Sequence, residues 1–331
     1  MPGMALLRLD PTTWTWVITG EPAITGDTRD TGGSCPFCPE SEASVPRTIA
    51  ERLGRDGKWT VRAFHDRTPI LQVEGEEGRH AEGMFDAMNA VGAHEIIVEG
   101  PEHARTLAEQ GAELLDPVLD VYAERITDLK RDSRFRYVEV FKNQGRLAGA
   151  LVEHPHSQLL ATPMMPQRVE RELRAARAHY EQKERCLYCD ILRQEKRQGV
   201  RLVEESADFL AFCPFASRYP YELWLLPKAH SSSFEIMVAQ ASLRGQLARI
   251  FASALRRVER VSASLHFVVH TEPNVNVSRV FAVEWQSVRE DFHWHIELMP
   301  RLDRRQKYLR EEEFFLNTVT PEEAARVLRE E

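Results

Sequence analysis

FKNQGRLAGALVEHPHSQLLATP, Phe141 to Pro163, is the stretch on which the fold turns. It starts on the last residue of FRYVEVF, an alternating apolar segment that reads as a strand. It crosses a loop of small residues, Gly145 to Ala150, and enters a second strand through His154-Pro155-His156-Ser157-Gln158. The same arrangement recurs later, where the strand LHFVVH leads to FHWHIELMP with His293-Trp294-His295. Upstream of each stands a cysteine pair, CPFC (Cys35, Cys38) and CLYC (Cys186, Cys189). In the first half KWTVRAF and HEIIVEG read as strands. The helical stretch ARTLAEQGAELLDPVLDVYAERITDLKRD follows, which Pro117 is expected to kink or break. In the second half RLVEE, FLAFC and YELWLL read as strands, and Leu243, Leu247, Ile250, Phe251 and Leu255 mark a helix from about Ile236 to Ser264.

Both halves therefore run cysteine pair, strands, long helix, strand, His-x-His strand. The cysteine pairs are 151 residues apart and the His-x-His motifs 139 apart, a difference that loop lengths absorb. This is an internal duplication of one α+β unit. Few helices alternate with the strands, so the sheets are expected to be largely antiparallel with flanking helices. The reading places an N-terminal domain over 1–165, a linking helix over 166–185 and a C-terminal domain over 186–331. PQRVERELRAARAHYEQKE, between the halves, reads as a solvated helix whose charges form a surface face.

A chain of 331 residues is too long for one ordinary core and fits two domains. Its 43% hydrophobic and 28% charged residues are ordinary globular composition. A formal net charge of -8 argues against general binding to a nucleic-acid backbone, so a phosphate ligand must be held by local features. MPGMALLRLDPTTW has no long apolar core of a signal peptide, and no apolar run approaches the roughly 20 residues of a membrane span. A soluble, cytoplasmic protein is expected, without nucleic-acid or membrane partners.

In a reducing cytosol two C-x-x-C pairs are metal ligands or redox centres rather than structural disulfides. Their matching places in a duplicated chain favour metal. Cys213, alone in DFLAFCPF, reads as a buried small residue. Zinc takes four ligands in a tetrahedron, so each cysteine pair needs two histidines. The first half offers His65, His80, His94, His103, His154 and His156; the second offers His230, His266, His270, His293 and His295, with His179 on the linking helix. Side chains alternate along a strand. One histidine of each His-x-His can therefore serve a metal while the other faces a reaction site only if the strand end bends or the ligands splay.

His156 carries the chemistry in this reading. A neutral imidazole beside a phosphate cradle is a competent nucleophile near pH 7. Attack on phosphorus gives a phosphoramidate that a second phosphate displaces. The small-residue loop lets backbone N–H groups approach phosphate oxygens, and Gln158 has an amide to donate. His295 is preceded by the bulky, acidic AVEWQSVRED, which favours His156 as the nucleophile.

These motifs, with LRLDPTTWTWVI, VRAFHDRTPIL, GAHEIIVEGPEH and CPFASRYPYELWLLPKAH, resemble the galactose-1-phosphate uridylyltransferases and the closely related ADP-glucose phosphorylases of the histidine-triad superfamily, over nearly the whole chain. The resemblance implies two tandem histidine-triad-like domains and ping-pong transfer in carbohydrate metabolism, through a nucleotidyl-histidine at His156 with Gln158 assisting. It implies nucleotide contacts at Arg62, Asp66, Asn143, Gly149 and Gln158. It also implies two zinc sites, Cys35, Cys38, His103, His154 and Cys186, Cys189, His230, His293, with iron as an alternative in one, and a homodimer. The expected substrates are a nucleoside-diphosphate sugar and a sugar 1-phosphate, most simply UDP-glucose and galactose 1-phosphate, or inorganic phosphate in the phosphorylase reading.

The chain departs from that pattern at Asp66, where the family has asparagine, and at Leu151, where it often has serine. It also departs over KYLREEEFFLN, Lys307 to Asn317, where a glycine-containing loop is replaced and Glu311, Glu312 and Glu313 would repel a sugar phosphate. A nucleotide-sugar hydrolase follows from that loss as a further enzyme reading. A zinc-stabilised nucleotide sensor without catalysis and a redox protein using the cysteine pairs are the readings from other classes.

Overall fold

The computed structural model describes residues 5–19, 35–277, 279–302 and 315–330. In chain order the strands are β1 (Leu6–Asp10), β2 (Thr15–Thr19), β3 (Thr48–Leu53), β4 (Trp59–His65), β5 (His80–Glu82), β6 (Phe85–Asn89), β7 (Ala93–Glu99), β8 (Tyr137–Gln144), β9 (His156–Thr162), β10 (Leu202–Glu205), β11 (Phe209–Phe212), β12 (Leu223–Pro227), β13 (Leu265–His270) and β14 (His295–Pro300). The helices are α1 (Leu107–Gln110), α2 (Ala112–Leu129), α3 (Gln167–Lys183), α4 (Leu187–Gln198), α5 (Phe234–Val238), α6 (Ala241–Val261), α7 (Arg279–Glu284), α8 (Val288–Asp291) and α9 (Pro321–Arg329).

Ten strands form one antiparallel sheet in the order β10-β11-β12-β14-β13-β8-β9-β7-β4-β3. The first half supplies five strands, the second five, and the halves meet along the β8–β13 ladder. One row of paired residues crosses all ten strands: Thr48, Phe64, Ile96, Gln158, Phe141, Val268, Glu297, Trp224, Phe212, Leu202. Read from either end it visits equivalent positions of the duplicated unit. Gln158 and Glu297 each lie two residues beyond the second histidine of their motif, so the local two-fold passes between Phe141 and Val268. A smaller sheet, β2-β1-β6-β5, forms its own cluster around Leu7 and Met88.

Period-two alternation gives the large sheet two unlike faces. One buries Val61, Ala63, Ile97, Val140, Leu159, Leu225, Phe267, Val269 and Ile296 against α2 and α6, through Leu115, Val118, Leu119, Ile126, Leu247, Ile250, Phe251 and Leu255. Truncating a fully buried member such as Leu119 to alanine would cost roughly 2–5 kcal/mol. The opposite face carries Gln158, Phe141, Val268 and Glu297. Its second-half part is covered by α3 and α4 through Val169, Leu173, Ala176, Tyr188 and Leu192. Its first-half part carries the separate cluster Trp59, Phe64, Ile96 and Val98, with Phe37 and Val45 packed against it.

Three expectations change. The helical stretch after β7 breaks at Gly111 (φ 73°), not at Pro117, which lies inside α2. The positive φ is what glycine accepts and other residues resist; the proline removes one backbone hydrogen bond and crowds the preceding turn, a cost that the buried face of α2 outweighs. The helix expected over Ile236 to Ser264 is two, α5 and α6, joined at Ala239 and Gln240. The linking helix is not merely solvated: α3 buries Val169, Leu173 and Ala176 and turns Arg168 and Glu172 onto the sheet.

Candidate active site and metal centres

β9 and β14 each begin at the second histidine of their motif. The first histidine therefore lies outside the pleat and is free of its alternation, which lets the two side chains part. His154 donates from Nε2 to the Gly100 carbonyl at 2.8 Å, leaving its Nδ1 lone pair toward Cys38 Sγ at 3.6 Å. His103 Nδ1 lies 3.4 Å from the same sulfur. Donor atoms of Cys35, Cys38, His103 and His154 all lie within 4.8 Å of one another. Burial lowers the pKa of His154, which keeps its lone pair available. Burial and the adjacent Cys35 push the Cys38 thiol up to about 11, and a cation at this point would reverse that bias.

The second half repeats the construction. His293 Nε2 donates to the Pro227 carbonyl at 3.0 Å and His230 Nε2 to the Arg289 carbonyl at 2.7 Å. Their Nδ1 atoms face Cys189 Sγ at 3.7 and 3.5 Å, and Cys186 completes a second group within 4.8 Å. Cys189 is drawn down to about 3, first by its hydrogen bond with Cys186, while Cys186 is driven up. In His154, His230 and His293, the nitrogen turned away from the cluster is fixed by a backbone carbonyl, the arrangement that orients metal-binding imidazoles.

The second histidines have opposite surroundings. His156 is 7% exposed on the first-half part of this face, with the Phe37 ring at 5.1 Å. Its Nδ1 donates to the His154 carbonyl at 2.8 Å, so Nε2 carries the lone pair, and no protein partner takes it among the described residues. Burial first and Lys142 next bring its pKa down to about 4, which keeps it neutral and nucleophilic. Beneath it, on the helix-covered face, Lys142 Nζ bridges the His156 carbonyl at 3.0 Å and Glu99 at 2.5 Å. Tyr122 and Ser157 also donate to Glu99.

His295 is fully buried, stacked on His270 at 4.5 Å and flanked by Tyr188 at 5.0 Å and Trp224 at 5.2 Å. Glu172 of α3 reaches His270 Nδ1 at 2.9 Å, and Glu297 receives Arg168 and Arg218, each at 2.6 Å. Against the desolvation of burial, the two carboxylates hold His270 up at about 10. Glu172, His270, His295 and Glu297 form a third group whose donor atoms could hold a metal ion. Sequence reasoning missed it because Glu172 sits in a helix whose composition reads as surface.

The other expected contacts are placed as follows. Gln158 Oε1 lies 3.0 Å from His94 Nε2, and Asn143 Oδ1 lies 2.7 Å from His266 Nδ1. Asp66 Oδ2 is 3.4 Å from His94 Nδ1, so this carboxylate faces an imidazole. Arg62 stacks over Trp59 at 4.8 Å and pairs with Glu51 at 2.8 Å, and strand pairing aligns it with Val98 and His156. Gly145 and Gly149 bracket a 3-10 turn over Arg146–Ala148. The amides of Ala148, Gly149 and Ala150 bond carbonyls of that turn, so in this conformation they are not the open cradle the sequence suggests. Gly149 (φ 85°) has open space where a side chain would stand. Cys213 is fully buried, as expected. Asn317 donates to the Ser217 and Tyr219 carbonyls, while Glu311, Glu312 and Glu313 lie outside the described residues. No helix among the described residues is long and apolar enough to cross a membrane.

Residues 12–166 match the family model for the galactose-1-phosphate uridyl transferase N-terminal domain. An ADP-glucose phosphorylase of Arabidopsis thaliana is 27% identical over 98% of this chain and 92% of its own length. A galactose-1-phosphate uridylyltransferase of Thermotoga maritima is 27% identical over 99% of this chain and 98% of its own. The crystal structure of an Arabidopsis thaliana ADP-glucose phosphorylase with bound ADP-glucose superposes with a TM-score of 0.77, at 27% identity and 98% coverage of both chains.

Proposed function

Because this chain belongs to the galactose-1-phosphate uridylyltransferase family, we propose that it moves a nucleoside monophosphate from a nucleoside-diphosphate sugar to a second phosphate through a covalent bond to His156. The observation that carries this is the His156 ring, neutral, anchored at Nδ1 and with an Nε2 lone pair that no protein group takes among the described residues. Nε2 attacks the α-phosphorus; the bond from that phosphorus to the bridging oxygen breaks, and sugar 1-phosphate leaves. An acceptor phosphate oxygen then attacks the same phosphorus and the N–P bond breaks, restoring the imidazole. Asn143 and Gln158 donate amide hydrogens to the phosphate oxygens as charge moves onto them. Arg62, Asp66 and Gly149 line the nucleotide. The acceptor is a hexose 1-phosphate in the transferase reading. Inorganic phosphate is the second reading, supported by the full-length likeness to an ADP-glucose phosphorylase.

We assign zinc to both cysteine–histidine groups. Two thiol sulfurs and two carbonyl-oriented imidazoles fit a closed tetrahedral structural site. Zinc there supplies cross-linking, tying the CPFC turn to the entry of β9 and the CLYC turn to the entry of β14. A cytoplasmic homodimer completes the proposal. Exposed Val17, Ile18, Met84 and Phe85, on and beside the small sheet, support a self-association surface.

Intact-protein mass spectrometry after brief incubation with UDP-glucose and, separately, ADP-glucose tests the mechanism. A gain of one uridylyl or adenylyl group, absent in His156→Ala, is expected and names the base. No adduct from either donor would sink nucleotidyl transfer through His156.

A further inference from the structure

His94 and His266 stand one strand out from Gln158 and Asn143, on either side of the nucleophile. Gln158 lies two residues along β9 from His156. Asn143 lies two residues along β8 from Phe141, the partner of Gln158, so both amides share the face and the end of the sheet where His156 lies. An amide side chain has two nearly isosteric ends, one that donates and one that only accepts. Beside an anionic phosphate the two orientations have opposite effects, and nothing in the amide itself selects between them.

The geometry points to His94 and His266 as positioning residues that fix the orientation of these two amides, so that both NH2 groups are aimed at the phosphate of the nucleotide sugar. The inference rests on the nucleotidyl-transfer reading and supplies what holds its donors in place.

At Gln158 the hydrogen-bond chain can be followed to its end. His94 Nδ1 receives the Ile70 backbone N–H at 3.5 Å, which leaves the ring hydrogen on Nε2. That Nε2–H donates to Gln158 Oε1 at 3.0 Å. Gln158 therefore meets a donor, presents its oxygen to it and turns its NH2 away.

At Asn143 the partner comes from the other half of the molecule. His266 is paired with Asn143 across the central β8–β13 ladder, and its Nδ1 donates to Asn143 Oδ1 at 2.7 Å. Burial and Arg301 keep that ring neutral, so it carries a single hydrogen, and beside an oxygen that can only accept that hydrogen sits on Nδ1. Neither amide nitrogen has a protein hydrogen-bond partner among the described residues, although both oxygens are engaged. The second half of the chain thus contributes to the first-half site through one imidazole, although its own His-x-His is sealed.

Two measurements test this on the zinc-loaded, full-length protein. Long-range 1H–15N spectra of histidine-labelled protein, assigned with His94→Gln and His266→Gln, should show hydrogen on Nε2 of His94 and on Nδ1 of His266. The second measurement is the rate of nucleotidyl-enzyme formation at saturating UDP-glucose or ADP-glucose, whichever labels. His266→Phe should slow it roughly 10–100-fold, the range of one lost hydrogen bond to a charged group. His266→Gln, which keeps a donor, should recover most of the rate. His266→Phe added to Asn143→Ala should cost no more than Asn143→Ala alone, and His94→Phe should relate to Gln158→Ala in the same way. Zinc content and melting temperature report folding. Additive penalties, glutamine no better than phenylalanine, or the opposite ring hydrogens would overturn the assignment. A wild-type protein that forms no adduct would instead overturn the transfer reading, and the spectra would still decide the two hydrogen bonds.

Discussion

Lys142→Met is the substitution whose cost follows most directly from the structure. The ammonium and the Glu99 carboxylate are 2.5 Å apart with side chains 2% and 0% exposed, so neither is solvated. Removing the lysine leaves a buried carboxylate held only by the Tyr122 and Ser157 hydroxyls. Breaking one side of such a pair costs roughly 3–5 kcal/mol, whereas replacing both sides with apolar groups of similar volume is close to neutral. Lys142→Met should therefore lower unfolding stability by that amount. The double variant Lys142→Met, Glu99→Leu should recover all but about 1–2 kcal/mol, the remainder being the lost hydrogen bonds to the hydroxyls and to the His156 carbonyl. Urea unfolding of zinc-saturated protein, followed by far-ultraviolet circular dichroism and by tryptophan fluorescence, measures both. The single variant should also label more slowly, because the His156 carbonyl loses its tether. A single-variant cost under about 1 kcal/mol, or a double variant less stable than the single, would refute a desolvated pair beneath His156.

Cys35→Ser and Cys186→Ser should each lower bound zinc from two per chain to about one and reduce thermal stability; a variant that keeps two zinc ions and wild-type stability would remove that cysteine from its ligand set. The pH dependence of stability should carry a contribution from His266. Burial and then Arg301 hold its pKa down to about 4, with His270 adding to the effect and Glu297 opposing it. The unfolded chain therefore takes up the proton first, so this contribution is complete above pH 6.5 and drains as pH falls toward 4. Between pH 7 and 5 His266→Gln should lose about 2 kcal/mol less than wild type, and parallel profiles would contradict the assignment. Gly145→Ala should be more destabilising than Gly149→Ala in thermal unfolding. Both need positive φ, but an added Cβ at Gly145 would collide with Ser264 Oγ while at Gly149 it meets nothing within 4 Å.

The sequence made the duplication legible because strands with strong alternation and two kinds of paired motif recur in order. LHFVVH is β13 from end to end. The fusion of the halves into one sheet was not legible, since nothing in FRYVEVF or LHFVVH announces that the two strands pair with each other. Pro117 misled because its cost is local, while Leu115, Val118, Leu119 and Tyr122 bury the same helix on both sides of it. Glu172 was hidden because one inward carboxylate in a charge-rich helix leaves no periodic trace; only the stripe Val169, Leu173, Ala176 marks that face. His94 and His266 were candidate ligands by residue type, and strand register, which a single sequence does not give, sets them beside amides instead.

The duplicated unit has two equivalent positions for a reactive imidazole, and what fills the space above each one separates them. Phe37 and Tyr188 are corresponding residues of the two C-x-x-C turns, and each lies about one ring's distance from the second histidine of its half, 5.1 and 5.0 Å. The two cysteine–histidine groups are built alike, and the paired row across the sheet is shared. Above His156 the sheet face is lined by a few apolar side chains, and Gln158 is neutral with an unengaged NH2. Above His295 lies α3, and the position of Gln158 is taken by Glu297. That carboxylate is held ionised, against burial, by His270, Arg218 and Arg168. An incoming phosphate would meet two carboxylates, Glu172 and Glu297, in a volume already closed by Tyr188, Trp224 and His270. Desolvation and like charge both exclude it. The linking helix therefore does more than connect the halves: by filling one of two equivalent clefts it leaves nucleotide chemistry a single place to occur.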